Sequence, residues 1–495
     1  VIMESSRSAG ILLPVSSLPS PYGVGSLGKA AYSFIDFLKK AGQKYWQVLP
    51  IGPTGFGDSP YQSFSAFAGN PYFIDLDFLA EEGLLKPDEI IDSKDNDEFV
   101  NYGRLYKERF LVLRKASLRF NKDTDEFKAF NEENSSWLED YALYMALKNH
   151  FGQKDMQYWD RVARMRDPQT IEMYKSLLKN EIDFWKFCQY EFYKQWMALK
   201  EYANKKGIEI IGDIPIYVSG DSADVFANPQ LFLLDKERRP TWVAGVPPDY
   251  FSETGQLWGN PIYDWKAMEE DDFRWWKMRI RSCAKLYDVI RIDHFIGIAR
   301  YYAIKAGSEN AVKGRWRIGP DIKLINAINE AKGKVKIIAE DLGVLHPRVE
   351  KLLKRSGYPG MKVLLFAAEN TAENNHILYK HGKNSIVYVG THDNDTARGF
   401  CDRESEENLR FLIDYFSVSN KEELPKALIK GAYASAADTV IIQMQDWLLK
   451  DNSARMNVPS TIGCNWRWRV QAKDLTDKLA FDIRKTSEIY GRINE

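Results

Sequence analysis

Four acidic side chains stand where short apolar runs end: Asp213 in Gly212-Asp213-Ile214, Asp293 in Arg291-Ile292-Asp293-His294-Phe295, Glu340 in Ala339-Glu340-Asp341-Leu342-Gly343, and Asp393 in Thr391-His392-Asp393-Asn394-Asp395. An acid in that position costs free energy unless it is paired or used. Any one of them could be a helix N-cap or an ion-pair partner, but four in the same structural position point to a shared site. The two-residue spacing of Arg291 and Asp293 puts both on one face of a strand, so the guanidinium is expected to hold that carboxylate ionised. Glu340 has no basic neighbour, and enclosed among apolar side chains it would stay protonated. One ionised and one protonated carboxyl group are the nucleophile and acid/base of retaining glycoside chemistry. The rival use is a metal site, since Asp293-His294 and His392-Asp393-Asn394-Asp395 offer mixed ligands. Neighbours on a strand diverge, which weakens Asp293-His294 as a chelating pair.

For residues scattered between positions 213 and 393 to meet, the elements carrying them must converge. Eight segments read as strands: 10–18, 45–52, 208–214, 289–295, 335–340, 361–366, 385–390 and 439–444. Between them lie helical patterns. Ala31, Phe34, Ile35 and Leu38 share one helix face with Gly42 as its stop; 320–331 and 347–355 stop at Gly333 and Gly357. This alternation predicts an α/β fold, a (β/α)8 TIM barrel whose strand C-termini form the active-site face. The stretch 73–205 reads as a largely helical subdomain inserted between strands 2 and 3, with Ser136 and Glu139 as a capping box ahead of Trp137, Tyr141, Tyr144 and Met145. The barrel then occupies 1–72 and 206–495, and 402–430 reads as charged helix and loop.

Other classes fit less well. Gly23-Val24-Gly25-Ser26-Leu27-Gly28 matches a dinucleotide fingerprint, but the intervening Pro21-Tyr22 and the lack of an acid after the second strand, which ends Leu49-Pro50-Ile51-Gly52, argue against a nucleotide. With 68 Lys+Arg against 69 Asp+Glu, nothing favours nucleic acid as a partner. No apolar run is long enough to span a bilayer and residues 1–10 lack a signal pattern, so the chain is expected to be cytoplasmic and not a membrane protein. Cys188, Cys283, Cys401 and Cys464 stand apart, without zinc or disulfide spacing. The 14 Trp, 26 Tyr and 26 Phe serve equally as a large core or as stacking surfaces for sugar rings.

The motifs also resemble a family, the 4-α-glucanotransferases called amylomaltases or disproportionating enzymes, related to the α-amylase barrels. The likeness runs nearly end to end: GILLPVSSLPSPYGVGSLG, GDSPYQSFSAFAGNPYFIDL (57–76), GDIPIYV (212–218), PPDYFSETGQLWGNPIYDW (247–265), RIDHF (291–295), AEDLG (339–343), PGMKVL (359–364), GTHDNDT (390–396) and ARMNVPSTIGCNWRWR (454–469). The resemblance implies Asp293 as nucleophile, Glu340 as acid/base and Asp393 as the third catalytic carboxylate, with Asp395 structural. It implies substrate contacts for Ser59, Tyr61, Asp213, Arg291, His294, His392 and Asn465. Tyr250, Phe251, Glu253 and Trp258 lie in a 247–265 loop expected to arch over the cleft on the acceptor side. The implied partners are an α-1,4-glucan or malto-oligosaccharide donor and a glucose or glucan acceptor, with no cofactor and no metal. Two departures stand out: Ile296-Gly297 follows RIDHF where Arg-Gly is usual, and Cys464 replaces a glycine. An α-glucan hydrolase with the same residues, and a non-catalytic glucan-binding barrel, are the alternative readings.

Overall fold

The computed structural model describes residues 7–90, 98–249, 252–343, 346–369 and 374–493. Twelve strands lie among them: β1 Ser8–Leu12, β2 Tyr45–Gln47, β3 Glu209–Pro215, β4 Trp242–Val246, β5 Gln256–Pro261, β6 Val289–Asp293, β7 Arg300–Lys305, β8 Arg315–Ile318, β9 Lys336–Ala339, β10 Gly360–Val363, β11 Ser385–Tyr388 and β12 Thr439–Gln443. Eight of these form a parallel sheet in the order β10-β11-β12-β1-β2-β3-β6-β9, a nearly closed barrel. All eight expected strands are among them. Seven are shorter than the apolar runs suggested, β1 and β2 most of all, where Pro14 and Pro50 inside the runs cannot donate to a ladder; after β1 the chain turns at once into a 3-10 turn, Val15–Ser17.

Successive strand residues enter different cores. Trp46, Ile210, Ile290 and Ile337 join the cluster that packs under the helices, whereas Tyr45, Ile211, Val289 and Ile338 join a second cluster with Met361, Val440 and Ile442. Burial on both faces is why these strands read as continuous apolar runs.

Between β2 and β3 residues 48–70 run as loop and turn, and the described chain beyond them is mainly helical, including Tyr102–Arg119, Ser135–His150 and Lys179–Lys205. Trp137, Tyr141, Phe187 and Trp196 share the first core cluster with the barrel strands. The expected capping box is not formed. The helix starts at Ser135 with Asn134 as its N-cap, because the preceding helix, Asp125–Glu133, runs directly into it; Glu139 pairs with Lys186 instead.

A second sheet, antiparallel in the order β5-β4-β7-β8, was not legible in the sequence. Its strands carry Gly245 and Pro261 or alternate charge with aromatics, as in Arg315-Trp316-Arg317-Ile318. The 247–265 segment is therefore not a free loop: β5 returns along β4 as one arm of a hairpin.

The glycine motif has a packing cause. A Cβ on Gly25 would lie 1.6 Å from Val15 O and one on Gly28 2.0 Å from Asp75 Oδ2. The amides of Gly25 and Leu27 donate to Ser16 O and Phe73 O, both at 2.9 Å. Amides already spent on backbone carbonyls cannot cradle a phosphate.

Candidate active site

The four acids meet at the C-terminal mouth of the barrel. Asp213 on β3 lies opposite Arg291 on β6 in the ladder. The buried Arg291 Nη1 donates to both oxygens of Asp213 at 2.7 Å and to Asp293 Oδ1 at 3.1 Å. The Tyr61 hydroxyl donates to Asp213 Oδ2 at 2.7 Å, and its ring stacks on His392 with centroids 4.9 Å apart. His392 Nε2 lies 3.4 Å from Asp393 Oδ2. One connected network thus spans Asp213, Arg291, Asp293, Tyr61, His392 and Asp393.

β6 ends at Asp293, and His294 adopts the left-handed conformation, φ 58°, which breaks strand alternation at the point where the acids converge. The His294 amide consequently donates to Glu340 Oε2 at 2.6 Å, while Leu342 N–H donates to Oε1 at 2.6 Å. Glu340 N–H donates to Ile292 O and Phe295 N–H to Glu340 O. Glu340 is held by the backbone on both sides of Asp293.

Electrostatics separates the two groups. Burial, then repulsion from Asp293, pushes Glu340 up to about 8, against Arg291 and the two amides. Burial also raises Asp293, to about 6, with Arg291 opposing and Asp213 adding to the rise. The sequence expectation for Glu340 holds. Arg291 favours the ionised Asp293 as expected, but it offsets only part of the rise, because the guanidinium is shared with Asp213 and the site is desolvated. Asp293 still loses its proton first, and at neutral pH the remaining proton belongs to Glu340. Asp393 goes the other way. Burial opposes its charge, but His392 and the Asn457 amide hold it down at about 2. Burial also works against the His392 cation, yet Asp393 raises that imidazole above its usual value. The His294 ring is pushed down to about 4 by burial alone.

The other candidates are placed unevenly. Ser59 Oγ accepts from Tyr61 N–H at 3.3 Å and so shapes the turn that presents Tyr61. The Trp258 and His294 rings meet edge to face at 4.8 Å, beside Asp293. Glu253 is exposed in the turn between β4 and β5. Tyr250 and Phe251 lie outside the described residues. Asn465 is buried with its amide engaged in its own loop: Oδ1 accepts from Val458 N–H, and Nδ2 donates to Thr461 O and Oγ1. Asp395 binds Arg403, Asn452 and Arg455, as a structural residue does. Cys464 is exposed and Ile296 buried.

Two participants escaped the sequence reading. Asn457 Nδ2 donates to Asp393 Oδ1 at 2.7 Å, and the Trp466 ring lies 5.7 Å from Tyr61 and 5.9 Å from His392. Both belong to the 454–469 motif; the alternation of Arg455 and Asn457 in an extended segment was the available signal, since both side chains reach the 393–395 turn.

The chain is similar to known proteins along nearly its whole length. A family profile described as 4-alpha-glucanotransferase matches residues 13–476. The 4-alpha-glucanotransferase of Clostridium butyricum is 50% identical over 483 residues, 97% of this chain and 99% of the relative. That of Thermus thermophilus is 45% identical over 504 residues, 99% of this chain and 100% of the relative. The structure of Streptococcus agalactiae amylomaltase in complex with acarbose superposes with a TM-score of 0.95 at 42% identity, covering 99% of this chain and 100% of that one. A match along nearly the whole chain, joined to a barrel mouth that gathers the acids, leaves one assignment: the chain belongs to the 4-alpha-glucanotransferase family.

Proposed function

We propose that the chain moves a segment of an α-1,4-glucan to the 4-hydroxyl of an acceptor sugar by double displacement, through a glycosyl ester on Asp293. The observation that carries this reading is the placement of two carboxyl groups at the ends of adjacent strands β6 and β9, with Arg291 Nη1 on Asp293 at 3.1 Å and the His294 and Leu342 amides on Glu340, an arrangement in which burial and the Asp293 charge raise Glu340 above Asp293. In the first step an Asp293 carboxylate oxygen attacks the anomeric carbon. The Glu340 proton goes to the departing glycosidic oxygen, and the shortened glucan leaves with its new 4-hydroxyl. In the second step Glu340, now ionised, takes the proton of the acceptor's 4-hydroxyl as that oxygen displaces Asp293. Two inversions give net retention. Asp393, fixed by His392 and Asn457, accepts from donor-sugar hydroxyls, and those bonds strengthen as the ring flattens in the transition state. Asp213, Arg291, Tyr61 and His392 form the floor beneath the reacting sugar, and Trp258 with His294 its acceptor-side wall.

Water is present at roughly 55 M, so transfer exceeds hydrolysis only where a bound acceptor lowers its own barrier further and displaces water. The direct test is maltotriose as sole substrate. Transfer yields chains longer than maltotriose together with the glucose or maltose left by the donor; products that are exclusively shorter would assign the chain to the hydrolases, and maltotriose left wholly unchanged would favour a non-catalytic glucan-binding protein.

Two further results are expected. Asn457→Ala removes a hydrogen bond to a charged group, worth about 1.5–3 kcal/mol, so kcat on maltotriose should fall about 10- to 100-fold; an unchanged kcat would detach Asp393 from the chemistry. No step above uses a metal, so transfer should persist after exhaustive chelation. Loss that is restored by a divalent ion would contradict the scheme.

A further inference from the structure

The barrel closes at one place without a ladder. β9 and β10 end the sheet order, and among the described residues two hydrogen bonds cross this seam. Ala339 N–H donates to Pro359 O at 3.0 Å, and Met361 N–H donates to Asp341 Oδ1 at 2.8 Å. In the second bond a side-chain carboxylate stands in for the carbonyl that a paired strand would supply. Asp341 is only 9% exposed. Gly360 leaves it room, since a Cβ there would lie 2.7 Å from Asp341 Oδ2. Outside Asp341 the seam opens into a pocket lined by Lys354, Tyr358, Lys362 and Asn384, so among the described residues the Ala339–Pro359 bond is the one other backbone link across it.

Both ends of the bond lead to reacting groups. Asp341 is joined covalently to Glu340. Met361 Sδ accepts from Arg291 Nε at 3.3 Å, and the same guanidinium holds Asp293.

We infer that Asp341 is a positioning residue: by clamping the end of β9 to β10 it fixes where Glu340 stands relative to Arg291 and Asp293. This rests on the reading of Glu340 as the acid/base. With the clamp gone, the strand end can shift and admit water. A displacement of about 1 Å costs on the order of 100-fold in rate, and a hydrated Glu340 gives up its proton at lower pH.

The test is kinetic, on the full chain with maltotriose. Asp341→Ala should lower kcat about 10- to 100-fold with KM changed less than about threefold, and should move the alkaline limb of the pH profile to lower pH. Asp341→Asn keeps an acceptor oxygen for the Met361 amide and should recover most of the loss. Gly360→Ala retains Asp341 but displaces its carboxylate, so it should reproduce the Asp341→Ala behaviour and stands in for that variant if it does not fold. Thermal melting accompanies each. A lowered melting temperature with kcat and the alkaline limb unmoved would overturn the inference, as would an Asp341→Asn variant as impaired as Asp341→Ala. Glu340→Gln is run alongside: if it is inactive while Asp341→Ala is normal, the seam inference alone fails, whereas full activity in Glu340→Gln removes the acid/base reading and the inference with it.

Discussion

Asp293→Asn is expected to lose at least about 10⁴-fold in kcat for glucose release from maltotriose, because an amide oxygen cannot form the glycosyl ester that divides the reaction into two accessible steps. The fold should survive. Asp213 occupies the same Arg291 nitrogen at 2.7 Å, so the buried guanidinium keeps a charged partner and is not stranded. Melting of the variant should therefore be cooperative and lie within a few degrees of the parent. A variant that melts normally and retains a tenth of the activity or more would remove Asp293 as nucleophile.

The second large effect belongs to Glu340 and is read through pH. Asp293 works only when ionised, so kcat/KM should fall as pH drops through about 6; Glu340 must be protonated to start the reaction, so it should fall again as pH rises through about 8. The profile is a bell centred near neutrality. Glu340→Gln should abolish the alkaline limb and cost about 10²–10⁴-fold on maltotriose. It should cost much less for the first step on a maltosyl fluoride, whose leaving group departs as an anion without a proton. The ester on Asp293 should then accumulate, because deprotonation of the acceptor has also lost its base; intact-protein mass spectrometry would detect it. An alkaline limb that persists in Glu340→Gln would assign that ionisation to another group.

The same shifts bear on stability, with opposite signs. The folded Glu340 keeps its proton where the unfolded chain has lost it, so it destabilises the native state increasingly as pH climbs from about 4.5 to about 8. Glu340→Gln should accordingly melt higher than the parent at pH 8. Asp393 is depressed on folding, so its contribution is present above about 3.8 and lost as pH falls towards about 2.

Much of the architecture was legible because strands buried on both faces leave continuous apolar runs, and because proline and glycine punctuate them; Gly357, for example, ends its helix in the left-handed conformation at φ 70°. The antiparallel β4-β5-β7-β8 sheet was not, since its charged and aromatic residues, with Gly245 and Pro261, lack that continuous apolar pattern. The Ser136 capping box failed because local capping chemistry was overruled by a helix arriving from upstream. Asn465 was singled out and Asn457 passed over because residue type alone does not say which amide faces an acid and which is spent inside its own loop.

By itself, the order of residues determined the eight barrel strands, the acids at their ends and the family to which those motifs belong, because periodicity and motif spacing are local properties of the chain. Tertiary structure decided the chemistry of the acids: that Arg291 is shared between Asp213 and Asp293, that a left-handed His294 turns its amide onto Glu340, and that β9 and β10 are joined through the Asp341 side chain. A carboxyl group's affinity for its proton depends on burial and on charges a few ångströms away, and here those charges sit on strands brought together only when the barrel closes.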